Sequence, residues 1–341
     1  MNRTFFLPVL SLATSVFLSG CNLPRVSIVV EPTQTSSAVL PTDTAPPPAS
    51  TAELGLAENP LILALPASAD SQEEIDAAGI IAAQLTERTG YVVVTVIADS
   101  QTALVNAFEH GNAHIAVFEP YAYELAYQKD LVKAAFSVVE DGASWYGAQF
   151  IAPREEGFTS YFNELNGTNT ISDPNIALSQ LNNKKPCWSD ETSLSGYVVP
   201  LGYLNSIGAP TQPAAFLEGQ PSVVRAMYAG GICDFGATYI DARKFPSLED
   251  EFPDLIEKVV VIWRIPDIIP HNVLAFSSSM PATMRDLFSS IIPAILQTGE
   301  GRAAFQTVYN IEAIEASNDA SYNEFRNYVV ESRVDLAVLV K

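Results

Sequence analysis

The chain has 341 residues, with 18 Lys and Arg against 39 Asp and Glu, a formal net charge of −21 and 48% hydrophobic residues. At roughly 100–200 residues per domain, this length predicts two domains with enough apolar residues for two cores. The acidic excess argues against nucleic acid as a partner, because its binding needs Lys and Arg to neutralise phosphates. It does not exclude a small anionic ligand, since backbone N–H groups can hold an anion inside an acidic protein.

The N-terminus is typical of an exported protein. Residues 1–20 form a secretory signal, with Arg3 followed by an apolar stretch too short and too interrupted for a transmembrane helix. Leu18-Ser19-Gly20-Cys21 resembles a bacterial lipobox, in which the cysteine is lipidated, although an ordinary cleaved signal is the alternative. Residues 21–59, rich in Pro, Thr, Ser and Ala, predict an extended, disordered tether. We therefore expect an extracytoplasmic protein attached to the envelope membrane by its lipid alone.

The remaining cysteines agree with this compartment. Once Cys21 is lipidated, Cys187 and Cys233 are an even pair in an oxidising environment, so we predict a disulfide between them. Two buried free thiols are the alternative. The three histidines fit no metal-binding spacing, and we expect neither a metal nor a cofactor.

From residue 60 onward, apolar runs alternate with segments of helical period. We predict strands at 61–65, 91–97, 114–118, 186–188, near 216, and at 232–237, 259–263 and 272–276. We predict helices at 73–88, 101–109, 121–127, 195–204, 221–228, 281–296, 301–308 and 322–333. This order predicts two α/β lobes with mostly parallel sheets, between which the chain crosses more than once. Ligands of such sheets bind beyond the carboxyl ends of the strands, here the loops 66–71, 98–101 and 119–121.

Asp190-Glu191-Thr192-Ser193-Leu194-Ser195-Gly196-Tyr197-Val198-Val199-Pro200 is similar to a motif of one protein family. It resembles the pattern Asp-Pro-x-Ser-Thr-Ser-Gly-Tyr-x-x-Pro of the phosphonate, phosphite and phosphate solute-binding proteins of ABC importers. Residues 99–107, 114–123 and 230–237 resemble three further segments of the same family. Together the four stretches extend the resemblance over roughly residues 60–335.

The resemblance implies a fold and an activity. The fold would be a two-lobed periplasmic binding protein of the type II-like class, with two mostly parallel-cored sheets joined by crossing hinge strands. Lobe 1 would comprise residues 60–153 and 265–341, and lobe 2 residues 154–264. The protein would be a monomer without enzymatic activity that captures a small phosphorus oxyanion and delivers it to an ABC permease and its ATPase. The alternatives are a sulfonate, nitrate or thiamine-like ligand, a ligand-free sensor, or a secreted hydrolase that uses Asp and Glu.

The first group of candidate ligand-binding residues is Ser193, Ser195 and Gly196. They precede or begin the predicted helix 195–204, where unpaired N–H groups and hydroxyls can hold an oxyanion without any Lys or Arg. The alternative is that the serines only cap the helix. In the family the residue between the two serines is a hydroxyl donor. Here that residue is Leu194, so one donor is lost.

The second group is Tyr121, Tyr123, Asp234 and Glu119. By resemblance a tyrosine would contact the ligand, with Tyr123 matching the family position, although core packing is the alternative for both tyrosines. Asp234 would accept a hydrogen bond from a protonated oxyanion or an amine, unless it only forms a turn. Glu119 replaces a small residue of the family. Its carboxylate either points away from the anion or pairs with an amino group, as an aminoalkyl phosphonate would supply.

Overall fold

Two large β-sheets and one two-stranded sheet organise the chain in a computed structural model that describes residues 53–340. The strands are β1 Leu61–Leu65, β2 Val93–Ile97, β3 Ile115–Phe118, β4 Val132–Val139, β5 Trp145–Pro153, β6 Phe162–Asn163, β7 Thr168–Asn169, β8 Pro186–Trp188, β9 Ala215–Phe216, β10 Phe235–Tyr239, β11 Val259–Pro270, β12 Val273–Ser277 and β13 Ala313–Ala316. The helices are α1 Gln72–Thr89, α2 Gln101–Glu109, α3 Pro120–Gln128, α4 Pro174–Leu178, α5 Val199–Ser206, α6 Gln220–Ala229, α7 Pro246–Glu251, α8 Leu255–Lys258, α9 Ala282–Leu296, α10 Gly299–Tyr309, α11 Asn323–Ser332 and α12 Leu336–Leu339. A π-helical turn, Leu194–Val198, leads directly into α5.

Both large sheets are mixed, whereas β6 and β7 form a separate antiparallel pair. The first has the order β13-β4-β12-β3-β1-β2, and β1 runs parallel to β2 and β3 while the other pairs are antiparallel. The second has the order β11-β5-β10-β8-β9, and β8 runs parallel to β9 and β10 while β5 is antiparallel to both of its neighbours. The predicted α/β architecture is confirmed. Strand–helix alternation predicted parallel strand pairs, and each large sheet contains two of them. The remaining strand pairs of both sheets are antiparallel.

Over the described residues 53–340 the chain crosses between the two large sheets twice, and the two crossings lie side by side. Residues 140–144 connect β4 to β5, and residues 271–272 connect β11 to β12. The backbone N–H of His271 donates to the carbonyl oxygen of Ser144 at 3.2 Å, and His271 Nδ1 lies 3.1 Å from Glu140 Oε2. These paired crossings have the geometry of a two-stranded hinge.

The crossings correct the expected lobe boundaries at 153 and 264. β5 pairs with β10 and β11 in the second sheet, so its residues belong to the second lobe and not to the first. β11 likewise continues in the second sheet to Pro270. The boundaries therefore fall at residues 140–144 and 271–272, because backbone pairing, which local apolar runs do not reveal, assigns a strand to its sheet.

The C-terminal segment contacts both lobes. Helix α11 approaches α5 so closely that a Cβ added at Gly202 would collide with the backbone of Tyr328. The rings of Tyr203 and Tyr328 stack with centroids 3.7 Å apart. On the other side, Arg326 Nε lies 2.9 Å from Oε1 of the buried Glu124 in α3. Helix α11 therefore packs against both lobes and connects them.

The folded body begins before residue 60, which corrects part of the predicted tether. The N–H of Val92 donates to the carbonyl oxygen of Gly55 at 2.7 Å, and Leu54 packs against the core of the first sheet. Gly55 has φ 93° and lies against the ring of Tyr91, so a side chain would not fit there. The predicted signal at 1–20, Cys21 and the tether up to residue 52 lie outside the described residues.

Two further features concern the cysteines and the helices. The predicted disulfide between Cys187 and Cys233 is confirmed, and it joins β8 to the loop ahead of β10. Over residues 53–340, every helix is too short or too polar to cross a membrane.

Candidate functional site

A cavity of about 970 Å³ lies where the two sheets and the two crossings meet. Its walls come from both lobes and from the C-terminal segment. They consist of Glu119, Pro120, Tyr121, Glu140, Asp141, Ala143, Tyr146, Thr192, Ser193, Leu194, Ser195, Gln220, Tyr239, Ile240, Pro270, His271, Asn272 and Leu339. Four of the seven predicted ligand-binding residues therefore lie at one cavity: Glu119, Tyr121, Ser193 and Ser195.

The serine motif forms the helix start that its pattern predicts. Ser193 is the N-cap of the π-helical turn, and its Oγ accepts a 3.0 Å hydrogen bond from the N–H of Gly196. Gly196 itself does not line the cavity. It lies behind the serines, where an added Cβ would collide with Oγ of the buried Ser189. Its role is to let the turn approach β8 closely, and this places the two serine hydroxyls at the cavity.

Gln220, the first residue of α6, holds both serines. Its Nε2 donates to Ser193 Oγ at 3.2 Å and to Ser195 Oγ at 3.1 Å. Its Oε1 accepts a 2.9 Å hydrogen bond from the backbone N–H of Tyr239 at the end of β10. Gln220 is not among the ligand-binding residues predicted from the sequence. The local sequence Gly219-Gln220-Pro221 indicates only the start of a helix. It does not indicate which groups the side-chain amide of Gln220 contacts.

Tyr121 connects the two lobes across the cavity. Its hydroxyl donates a 3.0 Å hydrogen bond to the carbonyl oxygen of Thr192, in the loop that precedes the serine turn. Burial raises the pKa of Tyr121, with smaller contributions from Tyr146 and Asp190, so the phenol stays neutral and remains a donor. Tyr121 can therefore hold the lobes together around a ligand.

The electrostatics of the cavity are unusual for an anion site. Three helical segments begin at it, namely α3, the π-helical turn and α6, and their N-termini bring partial positive charge. Among its described lining residues there is no Lys or Arg, whereas Glu119, Glu140 and Asp141 are present. Glu119 is exposed and caps no N–H of α3. The cavity thus offers both hydrogen-bond donors for an anion and carboxylates for a cation.

The structure places Tyr123 and Asp234 away from the cavity. Tyr123 is fully buried, and its hydroxyl donates to Asp319 Oδ1 at 3.0 Å. Asp234 Oδ2 accepts a 2.6 Å hydrogen bond from the backbone N–H of Lys185, which is 49 positions away, so the carboxylate bonds to backbone but does not form the turn of the alternative. Both side chains are engaged elsewhere, so neither contributes a group to the cavity.

The loops expected to hold the ligand are divided between two cavities. Residues 119–121 line the large cavity, whereas residues 66–68 and 98–101 line a neighbouring one of about 370 Å³. Glu119 contributes to both. The large cavity is displaced from the strand ends toward the crossings, because the second lobe supplies the serine turn there.

Comparisons with known proteins identify relatives of the chain. A family model described as "ABC transporter, phosphonate, periplasmic substrate-binding protein" matches residues 63–322. No curated protein matches the chain. Among solved structures, XAC2383 from Xanthomonas citri bound to ATP has 13% identity and a TM-score of 0.54, covering 82% of this chain and 99% of that one. PhnD1 from Prochlorococcus marinus in complex with methylphosphonate has 14% identity and a TM-score of 0.45, covering 80% and 98%. The likeness to XAC2383 shows a shared fold.

Proposed function

The chain belongs to the family of periplasmic substrate-binding proteins of phosphonate ABC transporters, and from this premise we propose that its large cavity captures a small phosphorus oxyanion. Phosphonate, phosphite and phosphate are the members of that class. The family acts outside the cytoplasm together with an ABC permease and its ATPase, and it is a transport family. In the proposal, the ligand-bound, closed form is the state that the permease recognises.

The serine turn is the observation that carries this proposal. Ser193 and Ser195 lie at the start of a helix and line the cavity. Hydroxyls and free N–H groups at a helix start stabilise an anion without a cationic side chain. Leu194 lines the cavity between them, so the site offers fewer hydroxyls than the family pattern.

The carboxylates that line the cavity favour a ligand that also carries an amino group. A fully ionised phosphonate alone would be repelled by Glu119, Glu140 and Asp141, whereas an aminoalkyl phosphonate presents a cation to them. The cavity volume of about 970 Å³ leaves room for such a chain. Glu119 is the preferred partner of the amine, because its carboxylate lies at the N-terminus of α3 and makes no capping hydrogen bond there.

Ligand-induced thermal stabilisation tests both parts of the proposal. The panel consists of phosphate, phosphite, methylphosphonate, 2-aminoethylphosphonate, sulfate, taurine and thiamine. A ligand at 100 times its dissociation constant stabilises the folded state by about 2.7 kcal/mol, which raises the melting temperature visibly. We expect the largest rise with 2-aminoethylphosphonate. A rise only with taurine or thiamine would overturn the phosphorus ligand and leave the fold unaffected.

The Glu119→Gln variant distinguishes binding of the amino group from binding of the phosphonate group. We expect this variant to bind 2-aminoethylphosphonate more weakly and methylphosphonate equally well or more tightly. Glu87→Gln, on the exposed surface of α1, is the matched control for the loss of one negative charge. Unchanged affinity of Glu119→Gln for 2-aminoethylphosphonate would show that Glu119 does not contact the amine.

We also propose that the protein is a monomer attached to the envelope membrane through a lipid on Cys21. The lipobox-like Leu18-Ser19-Gly20-Cys21 and the Pro-rich segment after it support the anchor. Radiolabelled palmitate should be incorporated into the full chain and not into its Cys21→Ser variant, and the variant should leave the membrane fraction. Equal labelling of both chains would contradict the anchor, and a dimer mass in light scattering would contradict the monomer.

A further inference from the structure

We propose that Gln220 is a positioning residue that makes the Ser193 hydroxyl an obligatory hydrogen-bond donor, so that the site selects a ligand oxygen without a proton. The inference rests on the proposed function, since it concerns the same cavity. It adds the protonation state of the ligand that the site prefers and the residue that sets this preference.

The orientation of the Gln220 amide follows from its backbone partner. The N–H of Tyr239 can only donate, and it lies 2.9 Å from the side-chain oxygen of Gln220. The other end of the amide, Nε2, is therefore the one that faces the serines. A reversed amide would set an NH₂ group against the N–H of Tyr239, with no acceptor between them.

The bonds to Ser193 use all of its acceptor capacity. A serine oxygen accepts two hydrogen bonds and donates one. Ser193 Oγ accepts one bond from the N–H of Gly196 at 3.0 Å and one from Gln220 Nε2 at 3.2 Å. Within residues 53–340, no acceptor takes the hydroxyl proton of Ser193, and the side chain lines the cavity. This proton is therefore available to a ligand oxygen in the cavity.

A donor with no remaining acceptor capacity discriminates between ligand oxygens. It binds a deprotonated phosphonate oxygen through a charge-assisted hydrogen bond, but it cannot accept the proton of a P–OH group. If Gln220 were absent, the hydroxyl could rotate and either donate or accept. The amide thus converts an adaptable hydroxyl into a selective one, although Gln220 itself need not touch the ligand.

A double-mutant cycle tests whether Gln220 acts through Ser193. The variants are Gln220→Met, which keeps the length of the side chain and removes its polar atoms, Ser193→Ala, and the two combined. The probe is whichever of phosphate, phosphite, methylphosphonate or 2-aminoethylphosphonate binds the wild type, measured by calorimetry. We expect Gln220→Met to weaken binding about 2- to 10-fold in the wild-type background, because the Ser193 hydroxyl is then no longer held as a donor toward the ligand. In the Ser193→Ala background the loss should be smaller, because only the bond from Gln220 to Ser195 then remains to be removed.

The pH profile supplies a readout that a structural role would not change. Between pH 5.5 and 8.5, wild-type affinity should rise as the probe loses its second proton, and this rise should be smaller in Gln220→Met. Arg225→Met, elsewhere on α6 in an exposed ion pair with Glu251, should keep the wild-type profile. An equal loss in both backgrounds, or an unchanged pH profile, would overturn the inference. Failure of the wild type to bind any of the four probes would instead overturn the proposed function, and the inference with it.

Discussion

The hydroxyl of Tyr121 donates a 3.0 Å hydrogen bond to the carbonyl oxygen of Thr192, which ties the first turn of α3 to the loop before the serine turn. This contact crosses from one lobe to the other at the wall of the cavity. It makes the arrangement of the two lobes depend on a residue that also lines the cavity. A contact of this kind favours the closed state in proportion to its net free energy.

Tyr121→Phe removes this bond and keeps the ring. We expect ligand affinity to fall about 2- to 10-fold, because a hydrogen bond of this type contributes about 0.5–1.5 kcal/mol to the closed state. The melting temperature of the ligand-free protein should change little. Calorimetric titration and thermal unfolding measure the two quantities.

Tyr123→Phe is the control for Tyr121→Phe. It removes the bond from the buried Tyr123 to Asp319, away from the cavity, so we expect lower stability and unchanged affinity. Equal losses of affinity in the two variants would contradict the assignment of Tyr121 to the cavity and Tyr123 to the core.

His114 makes the stability of the first lobe depend on pH. Burial lowers the pKa of His114, and its Nδ1 accepts a 3.1 Å hydrogen bond from the N–H of Ile62, which only an unprotonated nitrogen can do. The folded state thus favours neutral His114, and this stabilisation is fully present above pH 6.5, the ordinary value. As the pH falls below 6.5, the unfolded chain takes up a proton that the folded chain does not. The free energy of unfolding should then decrease by up to about 1.4 kcal/mol per pH unit.

Denaturant unfolding of His114→Asn between pH 7.5 and 5 checks this prediction. The Asn side chain offers an acceptor near the position of Nδ1 and does not titrate, so the dependence on pH should be weaker than in the wild type. His110→Asn, at an exposed position, should keep the wild-type slope. A slope that is the same in wild type and His114→Asn would exclude His114 as its source.

Arg243 should be the most costly charge to remove from the second lobe. It is fully buried and contacts Asp241 and Glu164, each at 2.7 Å. Burial alone would raise the pKa of Asp241, but the hydrogen bonds and charge of Arg243 outweigh it and bring the value down to about 2. Asp241 is thus held as a buried anion that depends on this guanidinium.

Arg243→Met leaves that anion with Arg264 as its remaining cationic partner, 2.9 Å away. We expect the free energy of unfolding to fall by about 3 kcal/mol, as for other broken buried pairs. Arg225→Met breaks an exposed pair and should cost less than about 1 kcal/mol. Denaturant unfolding of the two variants gives the comparison, and equal losses would show that burial of Arg243 has no special weight.

The family and much of the secondary structure could be predicted from residues close together in sequence. Helix α2 begins and ends where its apolar spacing predicts, at Gln101 and Glu109. The serine motif forms the predicted helix start, because Ser193 caps N–H groups only a few residues away. The family that this motif indicated is also confirmed. Local hydrogen bonds and side-chain periodicity decide such features, and both are visible in the order of the residues.

Tyr121 and Tyr123 show where this reasoning fails. Two positions apart on a helix, they point about 200° away from each other, so only one of them can face the cavity. Family resemblance favoured Tyr123, whereas the packing of α3 against Tyr322 buries Tyr123 and leaves Tyr121 at the wall. The helix was predictable, but the side of it that meets the second lobe was not.

The sequence by itself determined the α/β class, the cysteine pair and the serine turn. Only the tertiary structure decided that β5 belongs to the second lobe, that Gln220 holds both serines, and that no Lys or Arg among the described residues reaches the cavity. These features depend on contacts between residues far apart in the chain, such as the 25 positions between Ser195 and Gln220. Such contacts form only when the sheets pack, and no local pattern of residues encodes them.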